Sequence, residues 1–256
     1  MKLFDRFSKK NIKVNFVIAG TQKGGTSALT EYLRLHPEIC MAERKEVHFF
    51  DTEEHFLKKP PDYTPYHVHF RPGPSAQLFG EATPAYMYWS SAPGRIWEYN
   101  PDMKIIMILR NPIERAYSHW NMQRDRGKDS MSFYDALKRE HRRCREALPF
   151  QHKLYSYIGR GFYTEQIRRI WQYFPDTQTL IMKTEDMRDH PEPTLRKIYE
   201  FLGVHPPKEI EPIDVHSRSY VTPLAEKEER YLENIFEFEI RQLERMLGWD
   251  CSKWLS

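Results

Sequence analysis

The chain is poor in cysteine, and the three it has (Cys40, Cys144 and Cys251) lie far apart. No Cys-x-x-Cys pair and no Cys/His cluster with metal-ligand spacing occurs, so neither a disulfide framework nor a zinc site has support, and a reducing compartment is the simpler setting. Charge of one sign is not in excess: 39 Lys and Arg against 36 Asp and Glu leave +3 at pH 7. That balance suits anionic ligands but is far from the basic extreme of a nucleic-acid-binding protein. Residues 1–14 carry lysines without an apolar stretch of signal-peptide or anchor length. No internal repeat is present. The 256 residues suit one large α/β domain or two small ones, with a sizeable core.

The chain is organised around Phe16–Ser27. An apolar run, read as a strand from Val14 to Gly20, stops at that glycine. A short loop with Lys23, Gly24 and Gly25 follows, and then a helix from Thr26 to Leu35, with Leu29 and Leu33 inward and His36-Pro37 as its stop. A buried strand feeding a glycine loop and a helix N-terminus forms a phosphate cradle, because backbone N–H groups converge there and the helix dipole favours an anion. Gly20 and Gly25 keep the glycine spacing of a nucleotide-triphosphate loop. Thr26, however, stands where that loop needs its lysine, and Lys23 comes three residues early. The plain alternative is a glycine turn with a solvated lysine.

Lys104–Arg110 is the strongest strand, apolar enough to be covered on both faces. It delivers Arg110 to the end where open parallel sheets bind ligands. Asn111, Pro112 and Glu114 then read as a helix start, Asn111 capping and Glu114 completing a capping box. Ser118 falls about 12 Å along that helix from Arg110. A phosphate near the helix start can meet both, by a guanidinium fork and one hydroxyl. Taken singly, Arg110 reads as a salt bridge and Ser118 as a solvated position. Further strand and helix signals lie at 179–183, 193–202 with Gly203 as its stop, and from about Pro223 onward. The proline-rich stretch 58–76 reads as a long loop anchored by Tyr66 and Phe70, either a substrate wall or a packed surface excursion. The basic helix 133–147 reads mainly as a solvated face.

Several blocks together resemble the sulfotransferases that use 3′-phosphoadenosine 5′-phosphosulfate (PAPS). Gln22–Ser27 resembles their Q-K-[GT]-G-T-[ST] loop. Glu46–Asp51 is similar to the E-V-H-F-F-D of glycan sulfotransferases of the heparan type. Gly80–Tyr86 resembles G-E-x-[ST]-P-x-Y, and Arg110 with Ser118 resembles the R-x7-S pair. The resemblance runs from Phe16 to about Trp249. It implies a P-loop-like three-layer α/β fold with a central, mostly parallel sheet flanked by helices, as a single domain over 1–256 with its core at about 14–249. It implies that Lys23, Gly24, Gly25, Thr26 and Ser27 hold the 5′-phosphate and that Arg110 and Ser118 hold the 3′-phosphate. It makes Glu46 the base, with His48 beside it as a catalytic candidate and Asp51 in support. Arg218, Ser219 and Tyr220 match a late loop that closes over the cofactor, although His216 and Ser217 depart from its pattern. Ala82 stands where some glycan sulfotransferases have a lysine and cannot replace it.

By the same resemblance the product is adenosine 3′,5′-bisphosphate, no metal is needed, and the acceptor is a hydroxyl or amine, with a carbohydrate favoured. No nucleic-acid partner and no membrane span is expected. Secretory animal members begin with an anchor, so a cytoplasmic enzyme is expected here. Two rivals remain from other classes. A P-loop kinase or hydrolase needs a lysine at Thr26 and an acidic residue after a later strand. A non-catalytic glycan-binding protein would use the aromatics and the basic helix without turnover.

Overall fold

A computed structural model describes residues 12–211 and 223–255. The elements in chain order are β1 (Phe16–Gly20), α1 (Thr26–Arg34), β2 (Ile39–Met41), α2 (Thr64–His67), β3 (Leu78–Ala82), α3 (Ala92–Tyr99), β4 (Lys104–Leu109), α4 (Pro112–Asp125), α5 (Phe133–Arg145), α6 (Tyr163–Trp171), β5 (Thr179–Lys183), α7 (Thr184–Asp189), α8 (Pro191–Leu202) and α9 (Glu226–Leu247). The strands form one sheet in the order β2-β3-β1-β4-β5, and every described pairing is parallel.

Alternation along the strands builds two cores. Phe16 and Ile18 of β1 and Ile106 and Ile108 of β4 face Leu29 and Leu33 of α1 and Leu195, Ile198 and Leu202 of α8. Val17, Ala19, Ile105, Met107 and Leu109 face the other way, onto Ile113 and Ala116 of α4, Ile167 of α6 and Phe236 and Ile240 of α9. Helices therefore cover both faces, as side chains of period two on a central sheet require.

This arrangement positions the site. β1 and β4 are neighbours, yet α1 and α4, the helices that follow them, go to opposite faces. The two strands stay paired to their carboxyl ends, and the connections that leave them part to opposite faces, the switch point at which an open parallel sheet binds its ligands. The proline-rich stretch contains α2 and is held by Tyr66 and Phe70, 0% and 4% exposed. Tyr66 stacks in an aromatic cluster with Phe49, so the loop is packed onto the core.

Candidate active site

The loop after β1 is shaped by close approach. Thr21 donates its N–H to the Ile108 carbonyl (2.9 Å), and Gly24 donates to Thr21 (2.9 Å). A Cβ on Gly24 would lie 2.3 Å from the Ile108 oxygen, so only glycine fits. Gly25, with φ of 95°, is the N-cap of α1 and brings no capping side chain. The first-turn amides of α1 are thus left without a side-chain cap, the condition under which a helix N-terminus receives an anion. From beyond β5, the Thr184 hydroxyl ties the loop down, reaching the carbonyls of Gly24 (2.8 Å) and Leu109 (3.1 Å). Lys23 is half-buried, Thr26 is buried, and Ser27 is exposed at the mouth of the cradle.

The segment after β2 brings the acid to the same end of the sheet. Glu46 donates its N–H to the carbonyl of Ala82 at the end of β3 (2.9 Å), and His48 donates to the Thr83 hydroxyl (3.4 Å). The Tyr86 hydroxyl accepts from Phe49 N (3.0 Å) from below. Tyr86 and Trp89 are 0% and 3% exposed, so both are core residues rather than free stacking surfaces. Lys23, Glu46 and His48 adopt positive φ (74°, 58° and 59°), and no other non-glycine among the described residues does.

These groups form an ionic chain. His48 Nδ1 is 2.8 Å from Asp51, whose side chain is 1% exposed, and His48 Nε2 is 3.6 Å from Glu46. Held between two carboxylates, Asp51 foremost, the His48 imidazole is pushed up to about 9 and is protonated at neutral pH. The protonated His48 ring 3.6 Å away in turn holds the Glu46 carboxyl down at about 2, against partial burial and with help from Lys45. Lys153 steadies the far end by donating to the Asp51 carbonyl (3.1 Å). Glu81, below this layer and 0% exposed, is pushed up to about 7 by burial and accepts from the Thr83 hydroxyl at 2.7 Å.

Lys45 connects the two halves. Its Nζ is 2.5 Å from Ser27 Oγ in the cradle and 3.6 Å from Glu46. Sequence reasoning missed it, because neighbours in an extended segment point to opposite sides. Here the left-handed backbone at Glu46 folds the two side chains together.

At the end of β4, Arg110 pairs with Glu114 through Nε (3.0 Å) and a terminal nitrogen (2.7 Å). The expected capping box is therefore absent. Asn111 does cap, accepting from Ile113 N (2.9 Å), but Glu114 turns to the guanidinium, a stronger partner than a backbone amide. Ser118 is 4% exposed on α4 rather than solvated. Arg143 of the basic helix is not solvated either, since it bridges to Asp129 (2.6 Å). Arg160 is buried and lies 4.4 Å over the Tyr88 ring. Arg218, Ser219 and Tyr220, with His216 and Ser217, lie outside the described residues.

The cradle amides, Lys23 and Ser27 after β1 are donors of the kind a phosphate takes, while Arg110 after β4 is engaged by Glu114 and Ser118 is 4% exposed. The chemistry is one of N–H and O–H donors around a cradle that a side chain on Gly24 would disrupt.

Residues 13–224 match the family described as "Sulfotransferase domain". Among curated proteins, heparan sulfate glucosamine 3-O-sulfotransferase 5 of Mus musculus is 30% identical over 193 residues, 74% of this chain and 53% of that protein. Heparan sulfate glucosamine 3-O-sulfotransferase 3B1 of Mus musculus is 31% identical over 196 residues, 73% and 45% respectively. The chain thus spans about half the length of these curated relatives. A sulfotransferase structure from Alicyclobacillus acidocaldarius superposes with a TM-score of 0.82 at 27% identity, over 95% of this chain and 99% of that one. Mouse sulfotransferase SULT7A1 complexed with PAP shares the fold, with a TM-score of 0.58 at 16% identity over 92% and 87% of the two chains.

Proposed function

The chain belongs to the sulfotransferase domain family, and on that premise we propose that it transfers the sulfuryl group of PAPS to a hydroxyl or amine of an acceptor, with a carbohydrate favoured. The observation that carries this reading is the contact between the two halves of the site. Glu46 lies 3.6 Å from an ammonium that is itself 2.5 Å from Ser27 of the cradle. An anion cradle and an ionised carboxylate thus face one another at a single crevice.

PAPS supplies an activated sulfur whose bond to the 5′-phosphate oxygen breaks as the acceptor atom bonds to it, the electron pair leaving with adenosine 3′,5′-bisphosphate. Lys23 and the cradle amides offset the charge that accumulates on the departing phosphate. One such donor contributes about 3–4 kcal/mol to comparable reactions. Glu46 accepts the acceptor's proton. A weakly basic carboxylate suffices because the hydroxyl becomes acidic only as its bond to sulfur forms. His48, protonated and anchored by Asp51, keeps Glu46 ionised and aimed. Arg110 and Ser118 hold the 3′-phosphate, with Arg218, Ser219 and Tyr220 as the late loop of the same reading. The carbohydrate preference is supported by the E-V-H-F-F-D block and by the printed substrates of the curated relatives. The same reading treats the chain as one domain with its core at 14–249. A cytoplasmic setting agrees with its three free thiols. No helix among the described residues is long and apolar enough to cross a membrane.

The test is a screen with radiolabelled PAPS, glycans first, paired with nucleotide titrations. Label transfer to a defined acceptor, with adenosine 3′,5′-bisphosphate bound more tightly than ATP, is the expected result. Magnesium-dependent ATP binding above that of the bisphosphate would contradict it.

A further inference from the structure

Lys45 has no assigned role in the reading above, yet its ammonium lies between the cradle and the base. It has three N–H donors; one is hydrogen-bonded to Ser27 Oγ at 2.5 Å, and Glu46 is 3.6 Å away. Its side chain is about one-third exposed, so the ammonium is not closed off in the core. Lys23 precedes the N-cap of α1 by two residues, and Lys45, from the β2 loop, reaches Ser27 in the first turn, where the helix dipole already favours an anion. Lys45 thus contacts both ends between which the transferred group would pass, Ser27 of the cradle and Glu46.

We propose that Lys45 is a second catalytic cation, which donates to the non-bridging oxygens of the sulfuryl group while Lys23 serves the phosphate that leaves. The inference rests on the sulfotransferase reading. It separates two roles by position: Lys23 lies in the cradle and acts on the group present in both donor and product. Lys45 lies between the cradle and Glu46 and acts on the group present only in the donor.

That difference makes the idea testable without an identified acceptor. PAPS and adenosine 3′,5′-bisphosphate are titrated by calorimetry into the wild type, Lys45→Ala and Lys45→Met, the last of which keeps the apolar stem. Both variants are expected to lose about tenfold in PAPS affinity and less than about twofold in bisphosphate affinity, an electrostatic contact of roughly 1.4 kcal/mol. With an acceptor in hand, turnover should fall by about a hundredfold, and Lys45→Arg should restore part of it. If Lys45 is only a tether that holds the β2 loop to Ser27, both affinities fall together, and the inference is overturned. Unchanged PAPS affinity overturns it as well. A wild type that binds neither nucleotide overturns the sulfotransferase reading and this inference with it. Normal wild-type binding with an indifferent Lys45→Ala overturns this inference alone.

Discussion

Lys23, Glu46 and His48 occupy left-handed backbone conformations that cost a non-glycine residue about 1–2 kcal/mol each. Strain of this kind persists where surrounding structure over-determines it, and it gathers at working sites. Lys23→Ala should therefore leave the fold intact and lower turnover by about 10²–10³, measured with labelled PAPS. Near-normal turnover would remove its leaving-group role. Glu46→Gln should slow transfer with little change in nucleotide affinity. A large affinity loss at constant turnover would assign it to the cofactor instead. His48 allows a prediction whose sign is set by its pKa. The folded value of about 9 exceeds the ordinary 6.5, so its ion pairs stabilise fully below about pH 6.5 and are lost as pH rises through 9. The stability gap between wild type and His48→Asn, read from urea midpoints, should be widest near pH 6 and close near pH 10. A gap that widens with pH would mean that His48 is neutral in the fold. Lys23 and Glu46 could be singled out in the sequence because each sits in a distinctive block. Lys45 and the Glu46–His48–Asp51 chain were not fully so, since their contacts arise from positive φ at non-glycine residues, which residue type does not announce.

At the level of elements, the cradle depends on α1 beginning without a side-chain cap, directly beneath a loop pressed against β4. Gly24→Ala places a Cβ 2.3 Å from the Ile108 oxygen. It should destabilise the protein by about 1–3 kcal/mol and abolish nucleotide binding, as read from the melting curve and a titration. Unimpaired binding would show that the loop is not the cradle. β1, β4 and β5 were readable as apolar runs between turn signals. β2 is three residues long, and β3 contains Gly80 and the buried Glu81 in Leu-Phe-Gly-Glu-Ala, so neither shows the apolar pattern of a covered strand. α3 and α7 were also missed: Pro93 and Gly94 mask the first, and the second is six residues long. Glu114 illustrates a local signal outbid by a neighbour, since its spacing suits a capping box but Arg110 lies within reach.

At the scale of the molecule, function follows from strand order. Placing β3 and β4 on either side of β1 brings the loop after β1, the Glu46 segment at the end of β3 and Arg110 after β4 to the same end of the sheet, and α1 and α4 go to opposite faces. The fold class was legible from the alternation of strand and helix signals. The expected mostly parallel sheet is all parallel in its described pairings. A ligand that bridges the ends of β1 and β4 should stabilise the whole chain. Adenosine 3′,5′-bisphosphate at a hundred times its Kd should add about 2.7 kcal/mol to the unfolding free energy, measured as a shift in Tm. AMP, which lacks the 3′-phosphate, should add much less at the same concentration, and equal shifts would deny Arg110 and Ser118 their role. The most direct measurement is a crystal structure with adenosine 3′,5′-bisphosphate bound. The account predicts the 5′-phosphate on Lys23 and the amides of Gly24–Ser27, the 3′-phosphate on Arg110 and Ser118, and an open path from the former to Glu46. A nucleotide bound away from the β1 and β4 ends, or with its 5′-phosphate turned from Glu46, would contradict it.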